Sequence, residues 1–247
     1  MNFHLVGTNM SELATPTDDG LITPVVSFWS KHKHHFLKRY IYAFTTSMKK
    51  KRWEGLHYID LFAGAGMEQL EGSNEREWGS PLIAAQSEHP FTMLHLCEKE
   101  NERFAALSER VCRFREPGRD QLLNGDANQH VRSIINSIPA RSLSLAFLDP
   151  YGLHLDYESL RQLASVRSDL IIYFPDKVDA IRNWETYYWA DPQSNLDGVL
   201  GADSNWRDVV LNAPASRQLE AFLKLYVSQI GKLGYEYFEW EAIPSTG

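Results

Sequence analysis

The sequence predicts an α/β protein built on a doubly wound, mostly parallel sheet with helices on both faces. Three observations carry that expectation. Short apolar runs of strand length recur along the chain, the first three end in an acidic residue, and a stretch of helical periodicity follows nearly every run. With 247 residues, 43% of them hydrophobic, the chain can bury one large core, and no shift in composition demands a second domain. The expected organisation is a flexible arm over 1–26 and one domain over 27–247.

Residues 1–23 are polar and aperiodic, with turn signals at Thr15-Pro16 and Asp18-Asp19-Gly20. A leading basic helix is expected within 27–52, because Ser27 is a candidate N-cap and Phe28, Phe36, Leu37, Tyr40, Ile41 and Phe44 recur at helical spacing. The first strand, Leu56 to Phe62, has the apolar density of a strand buried on both faces. Polar residues 67–78 read as a loop over its carboxyl end, and Ser80 as N-cap with Pro81 at the first helical position opens the next helix. A second strand, Phe91 to Glu98, leads to a helix over Glu100 to Phe114, with Phe104, Leu107 and Val111 inward and Arg103, Arg110 and Arg113 outward.

A short third strand closes on Asp126, and Val131, Ile134, Ile135 and Ile138 mark a helix that Pro139 stops. The fourth strand, Leu143 to Leu148, runs into Asp149-Pro150-Tyr151-Gly152, and a helix over Tyr157 to Val166 precedes a fifth strand, Asp169 to Phe174. Residues 176–215 read as an irregular insertion, a lid or substrate-facing segment. Leu219 to Ile230 form a last amphipathic helix and Tyr235 to Ile243 a sixth strand.

The chemistry gathers at Tyr58 to Gly66, YIDLFAGAG. Gly64 and Gly66 allow positive φ and close approach of backbone to a ligand at the strand's carboxyl end, where open α/β sheets bind. The dinucleotide pattern G-x-G-x-x-G wants a third glycine, and Gln69 stands in its place. A plain turn is the other reading of two spaced glycines. Glu98, ending the second strand, can accept from both ribose hydroxyls of a nucleoside or cap the following helix; Asp126 can accept from an adenine amino group.

At the fourth strand's end, Asp149 and the Pro150 carbonyl could accept the two N–H bonds of an exocyclic amine and localise its lone pair, with Tyr151 stacked on the base. Asp149 as a turn cap and Tyr151 packed on the sheet edge are the alternative.

D-x-F-x-G-x-G resembles the first motif of class I S-adenosylmethionine-dependent methyltransferases, a Rossmann-like fold. D-P-Y-G is similar to the [D/N]-P-P-[Y/F] tetrad of amino-methylating nucleic-acid methyltransferases, departing at the third position, and is closer to the D-P-F-G of tRNA guanine-N2 methyltransferases. The order YIDLFAGAG, GSPLIAA, NGDAN, LAFLDPYGL, DLIIYFP resembles that of the three-Cys-motif partner proteins over roughly residues 27–243. By motif match the resemblance implies cofactor contacts at Asp60, Phe62, Gly64, Gly66, Glu98 and Asp126, an acceptor site at Asp149, Pro150 and Tyr151, and a radical-S-adenosylmethionine-like partner. Such folds usually add a seventh, antiparallel strand, whereas this chain stops soon after its sixth.

Charge is uneven. Residues 1–52 carry eight Lys or Arg against three acids, +5, which leaves −12 of the net −7 for the remainder. Lys31, Lys33, Lys38, Arg39 and the run Lys49, Lys50, Lys51, Arg52 are therefore expected to face nucleic-acid phosphate, or else to be a solvated helix face. His32, His34 and His35 lack a local carboxylate or cysteine, so no metal is expected. Two cysteines give no disulfide framework, and neither a signal peptide nor a membrane-length apolar run is present, so a cytoplasmic protein is expected. The expected function is methylation of an exocyclic amine of a nucleic-acid base. The alternatives are a non-catalytic or cofactor-binding partner protein, and a small-molecule or protein methyltransferase.

Overall fold

The computed structural model describes residues 13–150, 152–174 and 195–240. Along the chain, β1 (Val25–Val26) and α1 (Ser30–Met48) precede β2 (Leu56–Asp60), the hairpin β3 (Met67–Leu70) and β4 (Arg76–Trp78), and the short helix α2 (Ser80–Ala85). Strand and helix then alternate: β5 (Met93–Glu98), α3 (Asn101–Cys112), β6 (Asp120–Asn124), α4 (Ala127–Ser137), β7 (Leu143–Leu148), α5 (Tyr157–Leu163) and β8 (Ser168–Ile172). Three more helices follow, α6 (Asn195–Leu200), α7 (Trp206–Leu211) and α8 (Gln218–Gly231).

The main sheet has the order β6-β5-β2-β7-β8 and every neighbouring pair is parallel. The doubly wound α/β class read from the sequence is the observed one. Parallel neighbours require crossovers, and these bury both faces. On one face Tyr58, Leu94, Leu96, Leu145 and Phe147 pack with Leu37 and Ile41 of α1, Leu82 of α2 and Leu107 of α3. On the other, Ile59, Cys97, Ala146 and Leu148 pack with Val131, Ile134, Leu160, Trp206 and Phe222. Each fully buried aliphatic or aromatic side chain contributes about 1.5–3 kcal/mol.

From β2 the chain winds outward to β5 and β6, then returns to place β7 on the opposite side of β2. The carboxyl ends of β2 and β7 therefore flank the point where strand order reverses, the usual ligand crevice of such sheets.

Several local expectations are corrected. Residues 67–78 are not a loop: β3 and β4 pair antiparallel, and β1 adds in parallel to β3. Only Met67 and Leu70 of β3 are buried, so the ribbon's polarity hid its backbone pairing. Ser27 does not cap α1; Trp29 holds the N-cap position without a side-chain hydrogen bond, and the Ser27 carbonyl accepts from the Ser30 amide at 3.0 Å. Phe36 faces outward, and the inward stripe of α1 is His34, Leu37, Ile41 and Phe44. Gly79, not Ser80, takes the cap position of α2, with Ser80 turned into the core.

Within the expected insertion 176–215, residues 176–194 lie outside the described part, while α6 and α7 are core elements. Leu196, Val199, Leu200, Trp206 and Val210 are buried, and the Trp206 indole donates to Asp197 at 2.7 Å. The insertion supplies no strand among its described residues. Of the expected strand Tyr235 to Ile243, residues 235–240 join no ladder. The Tyr235 and Ser168 hydroxyls share a 2.8 Å hydrogen bond, so a side chain docks on β8 while Tyr237 and Trp240 point to solvent.

Residues 13–23 lie bound against the body. Arg76 pairs with Asp18 at 2.8 Å, the Trp78 indole donates to the Ala14 carbonyl at 2.6 Å, and Asp19 engages Arg110 of α3 and Arg113 just beyond its end. One of these corrects the sequence reading: Arg110 is not outward but 1% exposed. Its guanidinium donates to both Asp19 oxygens at 2.9 and 2.7 Å, to the Ala65 carbonyl at 2.7 Å and to Ile22 and Thr23.

Candidate functional site

A parallel sheet places every strand's carboxyl end on one edge, and so Asp60, Glu98 and Asp149 come together there. Asp60 pairs in register with Leu96 and Phe147, which sets Glu98 and Asp149 each two residues beyond it on the neighbouring strands. Asp126 follows the end of β6, whose Asn124 is the partner of Glu98.

The turn after β2 is built around Gly64 and Gly66, at φ +62° and +82°. Their roles differ. A Cβ on Gly66 would lie 3.3 Å from Leu82 of α2, so this glycine seats the turn on the helices, whereas a Cβ on Gly64 would meet nothing within 4 Å beyond its own chain neighbours. The turn is braced from below. Asp60, fully buried, accepts from the Phe62 amide at 3.2 Å, from the Tyr58 hydroxyl at 3.3 Å and from Ser80. Burial pushes its carboxyl up to about 7, with the Asp149 charge adding to the shift and the three donors opposing it. Phe62 is partly buried against the core.

Glu98 accepts from the Glu100 amide at 2.7 Å and Asp126 from the Asn128 amide at 3.0 Å, so each orders the start of the next helix. Both retain further acceptor capacity, since a carboxylate has about four lone-pair sites. Asp126 also meets Lys99 at 3.4 Å.

On the acceptor side, Asp149 is paired with Lys33 of α1. Pro150 borders a small apolar cavity with Gly152, Leu153, Ile172, Phe174 and Tyr226, while Tyr151 lies outside the described residues. Periodicity gave no hint of three neighbours here. Glu68 of β3 and His34 of α1 approach to 3.8 Å, and Glu68 Oε2 and His34 Nδ1 are buried without a hydrogen-bond partner. Burial raises Glu68 to about 7 and lowers His34 to about 4, with the Lys33 charge opposing the first shift and reinforcing the second. The third is Lys33 itself. Among the described residues no three potential metal ligands converge.

The expected phosphate contacts divide. Lys31 pairs with Glu75 and Glu77 at 2.5 and 3.3 Å, and Lys33 is held by Asp149, so neither is a free cation. Lys38 and Arg39 are partly exposed mid-helix, while Lys50, Lys51 and Arg52 are exposed beyond its far end, with Lys49 3.4 Å from His89. Seventeen residues separate Lys33 from Lys50, roughly 25 Å of helix. The terminal run thus flanks the opposite edge of the sheet from Asp149.

No family model matches the chain. No curated protein matches it either. Among solved structures, protein LPL1258 from Legionella pneumophila str. Philadelphia 1 is similar at 16% identity and a TM-score of 0.38, over 56% of this chain and 61% of its own. A "conserved hypothetical protein" of Streptococcus pyogenes is similar at 20% identity and 0.36, over 55% and 76%. The Escherichia coli protein named "Putative methyltransferase yhhF" is similar at 12% identity and 0.33, over 55% and 74%. The chain spans less than two thirds of the Legionella protein. At these scores none of the three bears on activity, and membership of the three-Cys-motif partner family is not shown. Among the described residues no helix is long and apolar enough to cross a membrane.

Proposed function

We propose that the chain binds S-adenosylmethionine at the carboxyl ends of β2, β5 and β6 and methylates an amino nitrogen at Asp149, Pro150 and Tyr151, best an exocyclic amine of a nucleic-acid base. The observation that carries this is Gly64. Its left-handed turn, at the point where strand order reverses, has open space where any side chain would stand. The donor set fits: Glu98 and Asp126 offer carboxylate oxygens to ribose hydroxyls and the adenine amino group, and Asp60 fixes the turn from beneath. When bound, the sulfonium supplies an electrophilic methyl group. Asp149 and the Pro150 carbonyl accept N–H bonds of the acceptor and hold its lone pair in line. Two free thiols fit a cytoplasmic setting.

Gly64→Val tests the cradle. The variant is expected to fold, losing about 1–2 kcal/mol for a β-branched residue in the left-handed region, and to give no heat with the cofactor in calorimetry. Wild type should bind. A folded wild type that binds neither S-adenosylmethionine nor its demethylated product would defeat the reading.

The nucleic-acid part of the proposal rests on Lys38, Arg39 and Lys49 to Arg52. Neutralising Lys49 to Arg52 should weaken binding across all sequences, and each lost contact should reduce the slope of log K against log salt by roughly 0.7–0.9. Wild-type affinity that is unchanged between about 50 and 200 mM salt sinks it. The second reading is a cofactor-binding partner protein without catalysis, docking on a radical-S-adenosylmethionine-like three-Cys protein. What favours it is Lys33, which occupies the acid that an acceptor would need.

A further inference from the structure

The amine that lies at the candidate acceptor acid belongs to the chain itself. Lys33 Nζ pairs with Asp149, and its side chain is only 12% exposed. Two aromatic faces flank it, Trp29 at 5.2 Å and Tyr173 at 5.5 Å from the ring centroids. The Tyr173 hydroxyl also donates to the Lys33 backbone carbonyl at 3.2 Å, so the helix turn as well as the side chain is held against the end of β8. Glu68, whose buried Oε2 has no hydrogen-bond partner and lies 3.8 Å from His34 Nε2, belongs to the same charge cluster.

Such a setting suits methyl transfer to a lysine. The two aromatic faces beside Nζ stabilise an alkylated cation as they do the ammonium. We propose, on the reading that the cradle holds a sulfonium methyl donor, that Lys33 is a methyl-accepting residue of this chain. The Lys33 ammonium gives one proton to the Asp149 carboxylate that it already contacts. The freed lone pair forms the N–C bond as the C–S bond breaks, its electron pair stays with sulfur, and the sulfonium becomes a neutral thioether. The product is a cationic secondary ammonium, still able to face Asp149 and the two rings.

The test uses the full chain and two readouts. Without any donor, reductive methylation by formaldehyde and a borohydride should label Lys33 more slowly than Lys50 or Lys51, and Asp149→Ala should speed it; labelling at the rate of the exposed lysines would overturn the placement. With S-adenosylmethionine, peptide mass spectrometry should find Lys33 heavier by one methylene, Lys31 and Lys50 unchanged, and Lys33→Arg unmodified. S-adenosylhomocysteine, lacking the methyl group, should give no gain. Calorimetry on the same sample separates the failures. Binding without mass gain at Lys33 defeats the inference alone, whereas absence of binding defeats the methyltransferase reading and this inference with it.

Discussion

Replacing Arg110 with methionine is expected to cost about 3–5 kcal/mol of folding stability, the loss typical of removing one partner from a buried ion pair. Arg110 is 1% exposed and makes bonds to Asp19, Ile22, Thr23 and Ala65 at once. Methionine matches its length and apolar stem but leaves Asp19, 11% exposed, with Arg113 as its remaining cation. The Ala65 carbonyl, between the two cradle glycines, loses its donor as well. Urea unfolding should therefore show a much lower midpoint with little change in slope. A loss below about 1 kcal/mol, the size of an exposed pair, would mean that the latch is solvated.

The second large effect concerns pH. Asp60 and Glu68 are raised to about 7, whereas His34 and His57 are lowered to about 4, in every case first by burial. A raised carboxyl stabilises the fold below its ordinary value near 4 and loses that contribution as pH rises through 7. A depressed histidine does the reverse: its contribution is present above about 6.5 and lost as pH falls toward 4. Between pH 5 and 6.5 the two pairs oppose each other, and their summed contribution to stability should be level to within about 1 kcal/mol. Asp60→Asn removes one opposing carboxyl. Its stability should climb with pH by about 1.5 kcal/mol between pH 5 and 7, the histidines now prevailing. Denaturation at pH 5, 6 and 7 decides it, and a variant as level as wild type would show that Asp60 ionises like an exposed acid.

The main sheet was legible because a strand buried on both faces is rich in apolar residues along its length, as β2, β5 and β7 are, and the first two close on an acid. Where burial was one-sided or absent the signal failed: β3 and β4 carry Glu68, Gln69, Arg76 and Glu77, and their pairing is a matter of backbone alone. The turn at Gly64 and the strand-end positions of Asp60 and Glu98 followed from the same pattern. What periodicity cannot supply is the partner brought by another segment. It sees that Arg110 lies beside Val111 on α3, but not that Asp19 arrives to meet it, nor that Asp149 is met by Lys33.

That long-range latch has a consequence for synthesis. Asp19 and Arg110 are 91 residues apart in sequence. At about 5–20 residues per second, several seconds separate their emergence from the ribosome. Once Gly66 has emerged, β1 and the glycine turn wait for the residue that joins them, and the exposed Val25 edge is open to whatever nascent strand is near. The glycine turn is braced only when α3 has left the exit tunnel, so its assembly is timed by translation as well as by local folding.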